Sequence, residues 1–316
     1  MKVKSLGLGE GSQIERTPSI VSVGNFDGVH LGHTSLIRTL VERSRRQGRR
    51  SVVVTFEPHT RTVLHPGQTQ PLLSVFEEKQ DLIEPLGPDL MVQLRFDTDV
   101  RSLAPLMFAR TVLHERLGAD EWVMGSDHRF GRDATGDKFS LHEDDSTYHI
   151  TSFAADLETI HGRQVSSTAI RTLIRSGDIA AAARMLGHPY LMRLRRVAGI
   201  GLGSSIGCPT LNFSGVLPGK VVPPAGVYAA RLCFDATVCN GALYYGNCPT
   251  FGERDVHFEF HALSPPAAGG PPVGEWAQVW LHAFIRPDHR YASGSELVTQ
   301  IQKDIISIEH FFSEEH

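Results

Sequence analysis

Two histidines, His30 and His33, stand three residues apart in the string Gly24–His33, which reads Gly-Asn-Phe-Asp-Gly-Val-His-Leu-Gly-His. At the start of a helix this spacing lets both imidazoles point at one ligand. Such a pair can donate hydrogen bonds to a phosphate and match the charge that develops during phosphoryl or nucleotidyl transfer. Two other interpretations stay open: a metal pair, although no further ligand for zinc stands near in sequence, and a structural pair packed on a sheet.

The flanking residues predict the elements that position this string. Three of the residues 20–23 before it are β-branched and apolar, which is typical of a buried strand. Residues 36–41 after it carry the apolar stripe of a helix that Gly48 ends. A second strand over 52–56 follows within one crossover length, so the two strands are predicted to be parallel. The string therefore lies at the carboxyl end of a strand and at the start of a helix, where open α/β sheets bind phosphates.

The string resembles the nucleotide-binding signature of the HxGH nucleotidyltransferases, and in full it is similar to the amino-terminal half of the bacterial bifunctional riboflavin kinase/FAD synthetases. This resemblance implies that His30 and His33 hold the α- and β-phosphates of ATP while FMN is adenylylated to FAD. The ATP-binding residues that it implies in this string are Gly24, Asn25, Phe26, Asp27 and Gly32.

A second turn follows a predicted strand over 122–125 and contains Asp127, Arg129 and Phe130. Such a turn can hold a flat ring against the phenyl group and bind a polar edge or a phosphate, although an ordinary βα loop would look the same. It is similar to the family's flavin-binding turn, except that His128 stands where a phenylalanine is usual. The resemblance implies that the three named residues bind flavin.

A third segment, over 165–171, combines hydroxyl side chains with an arginine. The hydroxyls can cap a helix, which leaves Arg171 one turn into it, where a guanidinium can bind a pyrophosphate. The segment resembles the family's Ser-Ser-Thr-x-x-Arg motif, which implies that Ser166, Ser167 and Thr168 bind ATP and that Arg171 stabilises the leaving pyrophosphate. No general base is needed, because a phosphomonoester is already an anion and can attack the α-phosphorus.

The carboxyl-terminal half has short β-rich runs separated by glycines and prolines, which is typical of a small barrel. Its glycine loop over 199–207 leads into Thr210 and Asn212, whose hard oxygen atoms suit Mg²⁺. The loop and the Pro-Thr-x-Asn sequence resemble the riboflavin kinase motifs. This implies ATP binding by Gly201, Gly203, Thr210 and Asn212, Mg²⁺ binding by the last two, and Glu259 as the general base; from sequence alone, Glu259 also fits the polar face of a strand.

Composition limits the classes of function. The chain has 316 residues and a formal net charge of −4, which favours neither nucleic acid nor an anionic membrane as partner. It shows neither a long apolar run nor a signal peptide, so we expect a cytoplasmic protein. The four cysteines have no CxxC spacing, which favours free thiols.

We therefore predict an HxGH nucleotidyltransferase domain over 1–187 with a Rossmann-like, doubly wound parallel sheet, followed over 188–316 by an antiparallel riboflavin kinase-like β-barrel with a C-terminal helix. The expected function is phosphorylation of riboflavin to FMN and adenylylation of FMN to FAD, with riboflavin, FMN and ATP as partners, Mg²⁺ as cofactor, and a homo-oligomer left open. Leu202 and Ser204 stand where the family usually has arginines, so a nucleotidyltransferase with a degenerate kinase domain is one alternative. A flavin-binding regulator without turnover is another.

Overall fold

A computed structural model describes residues 1–9, 14–67, 71–125, 129–137, 151–155, 159–160, 163–199, 208–247, 257–264 and 270–314. The chain divides into two compact units. The first unit contains Met1–Leu72 and Lys79–Ser166, and the second contains Leu73–Glu78 and Ser167–His316. None of the helices in the described part of the chain is long and apolar enough to cross a bilayer.

The first unit is built on a parallel sheet with the strand order β1-β4-β3-β2-β5-β6. All five residues of β2 are buried, as expected for a parallel strand that is covered on both faces. The predicted parallel pair is confirmed, since β2 pairs with β3 in parallel register. The strands are β1 (Lys2–Leu6), β2 (Ser19–Val23), β3 (Arg50–Glu57), β4 (Leu90–Arg95), β5 (Ala119–Gly125) and β6 (Thr151–Ala155).

The helix after β2 follows the predicted pattern. It buries Leu36, Ile37, Leu40 and Val41 along one stripe, and it ends at Gly48, whose φ of 62° is left-handed. The apolar pattern over 103–117 predicts one helix, and the chain is helical from Pro105 to Leu117, with a π-helical stretch over Ala109–His114 between two α-helical turns. The helices up to residue 117 are α1 (Leu31–Gln47), α2 (Thr60–Leu64), α3 (Phe76–Ile83), α4 (Thr98–Ser102), α5 (Pro105–Phe108) and α6 (Glu115–Leu117).

The apolar spacing over 170–186 indicates one helix, but the structure has two, α7 (Ser167–Ser176) and α8 (Ile179–Leu186). Gly177 between them has a φ of 82°, and the side chain of Asp178 accepts a hydrogen bond of 3.0 Å from the backbone N–H of Ala181. The glycine ends the first helix and the aspartate caps the second. Before α7, the short strands β7 (Thr159–Ile160) and β8 (Arg163–Gln164) form an antiparallel pair.

The second unit contains a closed barrel with the strand order β10-β13-β12-β11-β14-β9, and all its pairings are antiparallel. The C-terminal helix, α9 (Gly294–Glu314), buries Ile308 and Phe312 in one cluster with Val227 and Ala229 of the barrel. The predicted barrel and final helix are therefore confirmed. The barrel strands are β9 (Tyr190–Val197), β10 (Leu211–Phe213), β11 (Gly226–Phe234), β12 (Thr237–Gly246), β13 (His257–Ala262) and β14 (Trp276–Pro287).

A buried ion pair explains why Leu73–Glu78 belongs to the second unit. The Lys220 ammonium donates to the Glu78 carboxylate at 2.6 Å and to the carbonyl of Leu73 at 2.7 Å. The other carboxylate oxygen of Glu78 accepts a hydrogen bond of 2.9 Å from the backbone N–H of Arg193. Both ionic side chains have no exposed surface, so each buried charge has its partner.

Candidate functional site

The Gly24–His33 string forms a tight turn between β2 and α1. The backbone N–H of Gly24 continues the sheet by donating to Val54 at 3.0 Å. Phe26, Gly28 and Val29 then have φ values of 47°, 80° and 42°, so the chain reverses through left-handed conformations that only Gly28 adopts without strain. Because α1 begins at Leu31, the N–H groups of its first turn, which have no acceptor within the helix, lie at the carboxyl end of the sheet.

The two imidazoles lie together at this helix start. The rings of His30 and His33 stack with centroids 3.6 Å apart and an angle of 16° between their planes, and the edge of Phe26 contacts His33 at 5.3 Å between centroids. A Cβ atom at Gly32 would lie 3.4 Å from the His30 ring, and one at Gly24 would lie 3.3 Å from the Phe26 ring. A side chain at either glycine would therefore be in direct contact with the ring that faces it.

The His33 imidazole is held in its neutral form. Burial lowers its pKa well below 6.5, and electrostatic interactions with His30 and Lys79 lower it further. Its Nδ1 atom makes no hydrogen bond to any residue that the structure describes. A neutral imidazole with one uncommitted nitrogen can donate to a phosphate oxygen or accept from one that carries a proton.

Asn25 fixes the turn to the next helix. Its side-chain amide donates to the hydroxyl of Thr60 at 2.9 Å and accepts from the backbone N–H of Thr60 at 3.3 Å. The backbone carbonyl of Asn25 accepts from the Thr55 hydroxyl at 3.2 Å. Phe26 and Asp27 are buried, with exposed fractions of 1% and 2%. The side chains of these three residues set the shape of the turn, and their part in binding ATP stays a prediction.

The segment with the predicted arginine belongs to the second compact unit from residue 167 onward. Ser166 directly precedes α7, Ser167 begins it and Thr168 is exposed. Arg171 lies in the first turn and a half of this helix and is buried, with 4% of its surface exposed. The predicted helix start is confirmed, and the convergence of Arg171 with the histidine pair stays a prediction.

The predicted flavin-binding turn is described in part. Asp127 lies outside the described residues. Arg129 forms an ion pair of 2.7 Å with Asp137, and the Phe130 ring is buried against Trp122 with centroids 4.5 Å apart. One side of the Phe130 ring is therefore occupied by the protein core, and a flavin contact of this turn stays a prediction.

In the barrel, three predicted kinase residues lie together. Asn212 of β10 pairs directly with Glu259 of β13. The Thr210 hydroxyl donates to the Glu259 carboxylate at 3.3 Å, and the Asn212 amide donates to the Thr210 carbonyl at 3.5 Å. The structure thus places a hydroxyl, an amide and a carboxylate at one point of the barrel. Gly201 and Gly203 lie outside the described residues.

Residues 12–169 match the model of the FAD synthetase family, and residues 186–312 match that of the riboflavin kinase family. Over 307 residues the chain is 31% identical to a bifunctional riboflavin kinase/FMN adenylyltransferase of Escherichia coli, with 97% of this chain and 96% of that protein covered. The chain belongs to this family. The order of the two matches assigns FMN adenylyltransferase activity to the amino-terminal part and riboflavin kinase activity to the carboxyl-terminal part.

Other members of the bifunctional riboflavin kinase/FMN adenylyltransferase family give the same result. The chain is 32% identical to the Pseudomonas fluorescens protein, with 92% of each chain covered. It is 30% identical to the Bacillus subtilis protein, with 95% of this chain and 94% of that protein covered. A crystal structure described as a macrolide-efflux protein from Streptococcus pneumoniae has a TM-score of 0.80 at 24% identity, covering 95% of this chain and 97% of that one; this likeness shows the fold alone.

Two residues at the candidate adenylyltransferase and kinase sites are not predicted from the sequence. His257 lies two residues before Glu259 on β13, and its Nε2 atom is 2.9 Å from the Glu259 carboxylate. Because side chains alternate along a strand, both residues lie on one face, and this spacing could have been recognised in the sequence. Lys79 of α3 has no exposed surface and acts on the pKa of His33. Nothing in the local sequence distinguishes Lys79 from a solvated helix lysine.

Proposed function

We propose that the Gly24–His33 turn binds the triphosphate of ATP during FMN adenylylation. A phosphate oxygen of FMN forms a bond to the α-phosphorus, the bond from that phosphorus to the oxygen of the β-phosphate breaks, and pyrophosphate leaves with the electron pair. The observation that carries the proposal is the stacked pair of His30 and His33 at the N-terminus of α1, at the carboxyl end of the parallel sheet. There the neutral His33 donates to phosphate, and the helix dipole adds positive potential.

The remaining residues of this step are assigned by motif. Arg171 stabilises the departing pyrophosphate, while Ser166, Ser167 and Thr168 contribute the start of α7 as a further anion site. Asp127, Arg129 and Phe130 bind the flavin. The identification of these sets follows the family resemblance, and the helix start at Ser167 supports the assignment of the hydroxyl residues.

For the kinase step, we infer that Glu259 accepts the proton of the riboflavin 5′-hydroxyl. The hydroxyl oxygen then bonds to the γ-phosphorus of ATP, ADP leaves, and FMN forms. An alcohol needs such a base, whereas the FMN phosphate in the other step does not. The contact between Thr210 and Glu259 and the pairing of Asn212 with Glu259 support the assignment.

The donor set of the kinase site fits Mg²⁺. A hydroxyl, an amide oxygen and a carboxylate are hard oxygen donors, and Mg²⁺ on a nucleotide usually takes few protein ligands besides phosphate and water. Thr210 and Asn212 would hold the ion, which would neutralise charge on the nucleotide phosphates. Gly201 and Gly203 would let the backbone approach those phosphates closely.

Because both steps consume ATP, we place the enzyme in the cytoplasm.

The test is to incubate the purified chain with riboflavin, Mg²⁺ and ATP and to separate the flavins by chromatography. We expect FMN first and FAD after it. His33→Ala should lower the rate of FAD formation by about 100-fold or more and leave FMN formation unchanged. His310→Ala, at an exposed histidine of α9, is the matched control. Loss of both products in a folded His33→Ala protein would contradict the division of labour, and no flavin product from the unaltered chain would favour a different phosphorylated substrate.

A further inference from the structure

Lys79 is a buried lysine whose ammonium has no hydrogen-bond acceptor among the residues that the structure describes. No part of its surface is exposed. Lys220 shows the contrast: its side chain is also fully buried, but its ammonium donates to Glu78 and to the carbonyl of Leu73. A buried ammonium without hydrogen bonds is destabilising, so its retention needs a reason.

The groups around Lys79 place its ammonium at the carboxyl end of the parallel sheet. Its charge interacts with Asp27, which follows β2, and with Glu57, which ends the neighbouring strand β3. It also acts on His33 at the start of α1, and α1 contacts the turn Glu84–Leu86 that directly follows α3. The Lys79 ammonium is therefore within electrostatic range of His33 and of the Asp27 and Glu57 carboxylates.

We propose that the Lys79 ammonium donates to a phosphate oxygen of the nucleotide bound at His30 and His33, as a third basic group of that site. The proposal deepens the proposed function and rests on it. A bound triphosphate would supply the acceptor that the described residues do not. Lys79 would also offset Asp27 and Glu57, whose negative charges otherwise face the anion.

The alternative is a purely structural lysine that balances the charge of Asp27 and Glu57. The Lys220–Glu78 pair shows the form that such a contact takes in this chain, namely a direct hydrogen bond of 2.6 Å. Lys79 forms none. Burial also lowers the pKa of Lys79 while the two carboxylates raise it, so the state of the ammonium depends on how much negative charge is close by. A triphosphate adds that charge.

The experiment compares Lys79→Met and Lys79→Gln with Lys79→Arg, and uses Lys4→Met, at an exposed lysine of the same unit, as matched control. We expect the neutral variants to raise the KM for ATP and the inhibition constant of inorganic pyrophosphate in FMN adenylylation by about 10- to 100-fold. The KM for FMN and the rate of riboflavin phosphorylation should not change. Lys79→Arg should recover part of the affinity, because it keeps the charge.

Two results overturn the proposal. One is an unchanged inhibition constant for pyrophosphate in both neutral variants, with or without a lower melting temperature, which would make Lys79 a structural counter-charge. The other is an equal loss of FMN and pyrophosphate affinity. Should Lys79→Met fail to fold, Lys79→Gln, which keeps hydrogen-bonding capacity, decides the question. If His33→Ala still makes FAD at the normal rate, the proposed function itself fails, and the two failures are therefore distinguishable.

Discussion

His33 of the Gly24–His33 turn makes the stability of the protein depend on pH. Its folded-state pKa lies well below 6.5, because the buried ring is harder to protonate than the same ring in the unfolded chain. The unfolded chain thus binds the proton more readily, so this residue's contribution to stability is complete above about pH 6.5 and is lost as the pH falls below that value. We expect the unfolding midpoint in urea to fall with acidification, and His33→Gln to make the fall shallower.

His310→Gln is the control for this prediction, since His310 is exposed and its side chain faces solvent. It removes one exposed imidazole without removing the buried one. A pH dependence that is the same in the parent protein and in His33→Gln would show that His33 titrates normally. The measurement is a series of urea unfolding curves between about pH 5 and pH 8.

Glu259 is the proposed general base of the riboflavin kinase site. Glu259→Gln keeps the shape of the side chain and its contact with Thr210, but an amide cannot take a proton from an alcohol. We expect riboflavin phosphorylation to fall by about 100- to 10,000-fold, while adenylylation of added FMN stays at the parent rate. Glu275→Gln, at an exposed carboxylate of the same unit, should leave both rates unchanged. Substantial kinase activity in Glu259→Gln would exclude this residue as the base.

The C-terminal helix α9 stabilises the barrel through few residues. Ile308 has no exposed surface and packs in the cluster with Val227 and Ala229, whereas Ile306, two positions earlier, is 65% exposed. Ile308→Ala should lower the free energy of unfolding by about 2–5 kcal/mol, because it leaves a cavity. Ile306→Ala makes the same chemical change at the surface and should cost no more than about 0.5 kcal/mol.

Thermal unfolding followed by circular dichroism and by loss of kinase activity tests this prediction. Equal destabilisation by the two alanine variants would mean that α9 does not dock through Ile308. Arg286, whose guanidinium bonds to Asp304 of α9 at 2.8–3.0 Å, gives the helix a second attachment. The helix is therefore expected to stay folded in Ile308→Ala, with a lower melting temperature.

Elements with a strong local pattern could be predicted from the sequence. The buried strand β2 and the stripe of α1 follow from apolar spacing, because each has to bury a face. The break between α7 and α8 was missed because the apolar spacing continues across it, although Gly177 and Asp178 are ordinary stop and start signals. The π-helical stretch over 109–114 has no comparable signal in the sequence.

Some residues of the candidate sites could be predicted from the sequence and others could not. The turn at His30 and His33 is contiguous in the chain, so its residues could be found together. Lys79 could not be found, because its burial beside that turn is a property of the folded chain. Which residues approach a site from a distant segment depends on packing, and packing is not encoded in any local spacing.

At the scale of the whole molecule, the chain combines two activities in two compact units. The family matches cover residues 12–169 and 186–312, so each activity has its own stretch of chain. The compact units do not coincide with the ranges of the family matches, since Leu73–Glu78 and the helices α7 and α8 belong to the same unit as the barrel. The domain boundary at 187/188 stays a prediction, and an expression test of the two halves should allow for those helices.

Two variants that each lack one of the two activities should complement each other in one tube. Given riboflavin, Mg²⁺ and ATP, His33→Ala should stop at FMN and Glu259→Gln should make no product, because each lacks one step. Their mixture should form FAD after a lag, since the FMN released by one chain diffuses to the adenylyltransferase site of the other. Added FMN should abolish the lag. If both half-reactions run separately but the mixture makes no FAD, FMN does not leave the chain that makes it, and the two sites do not act independently.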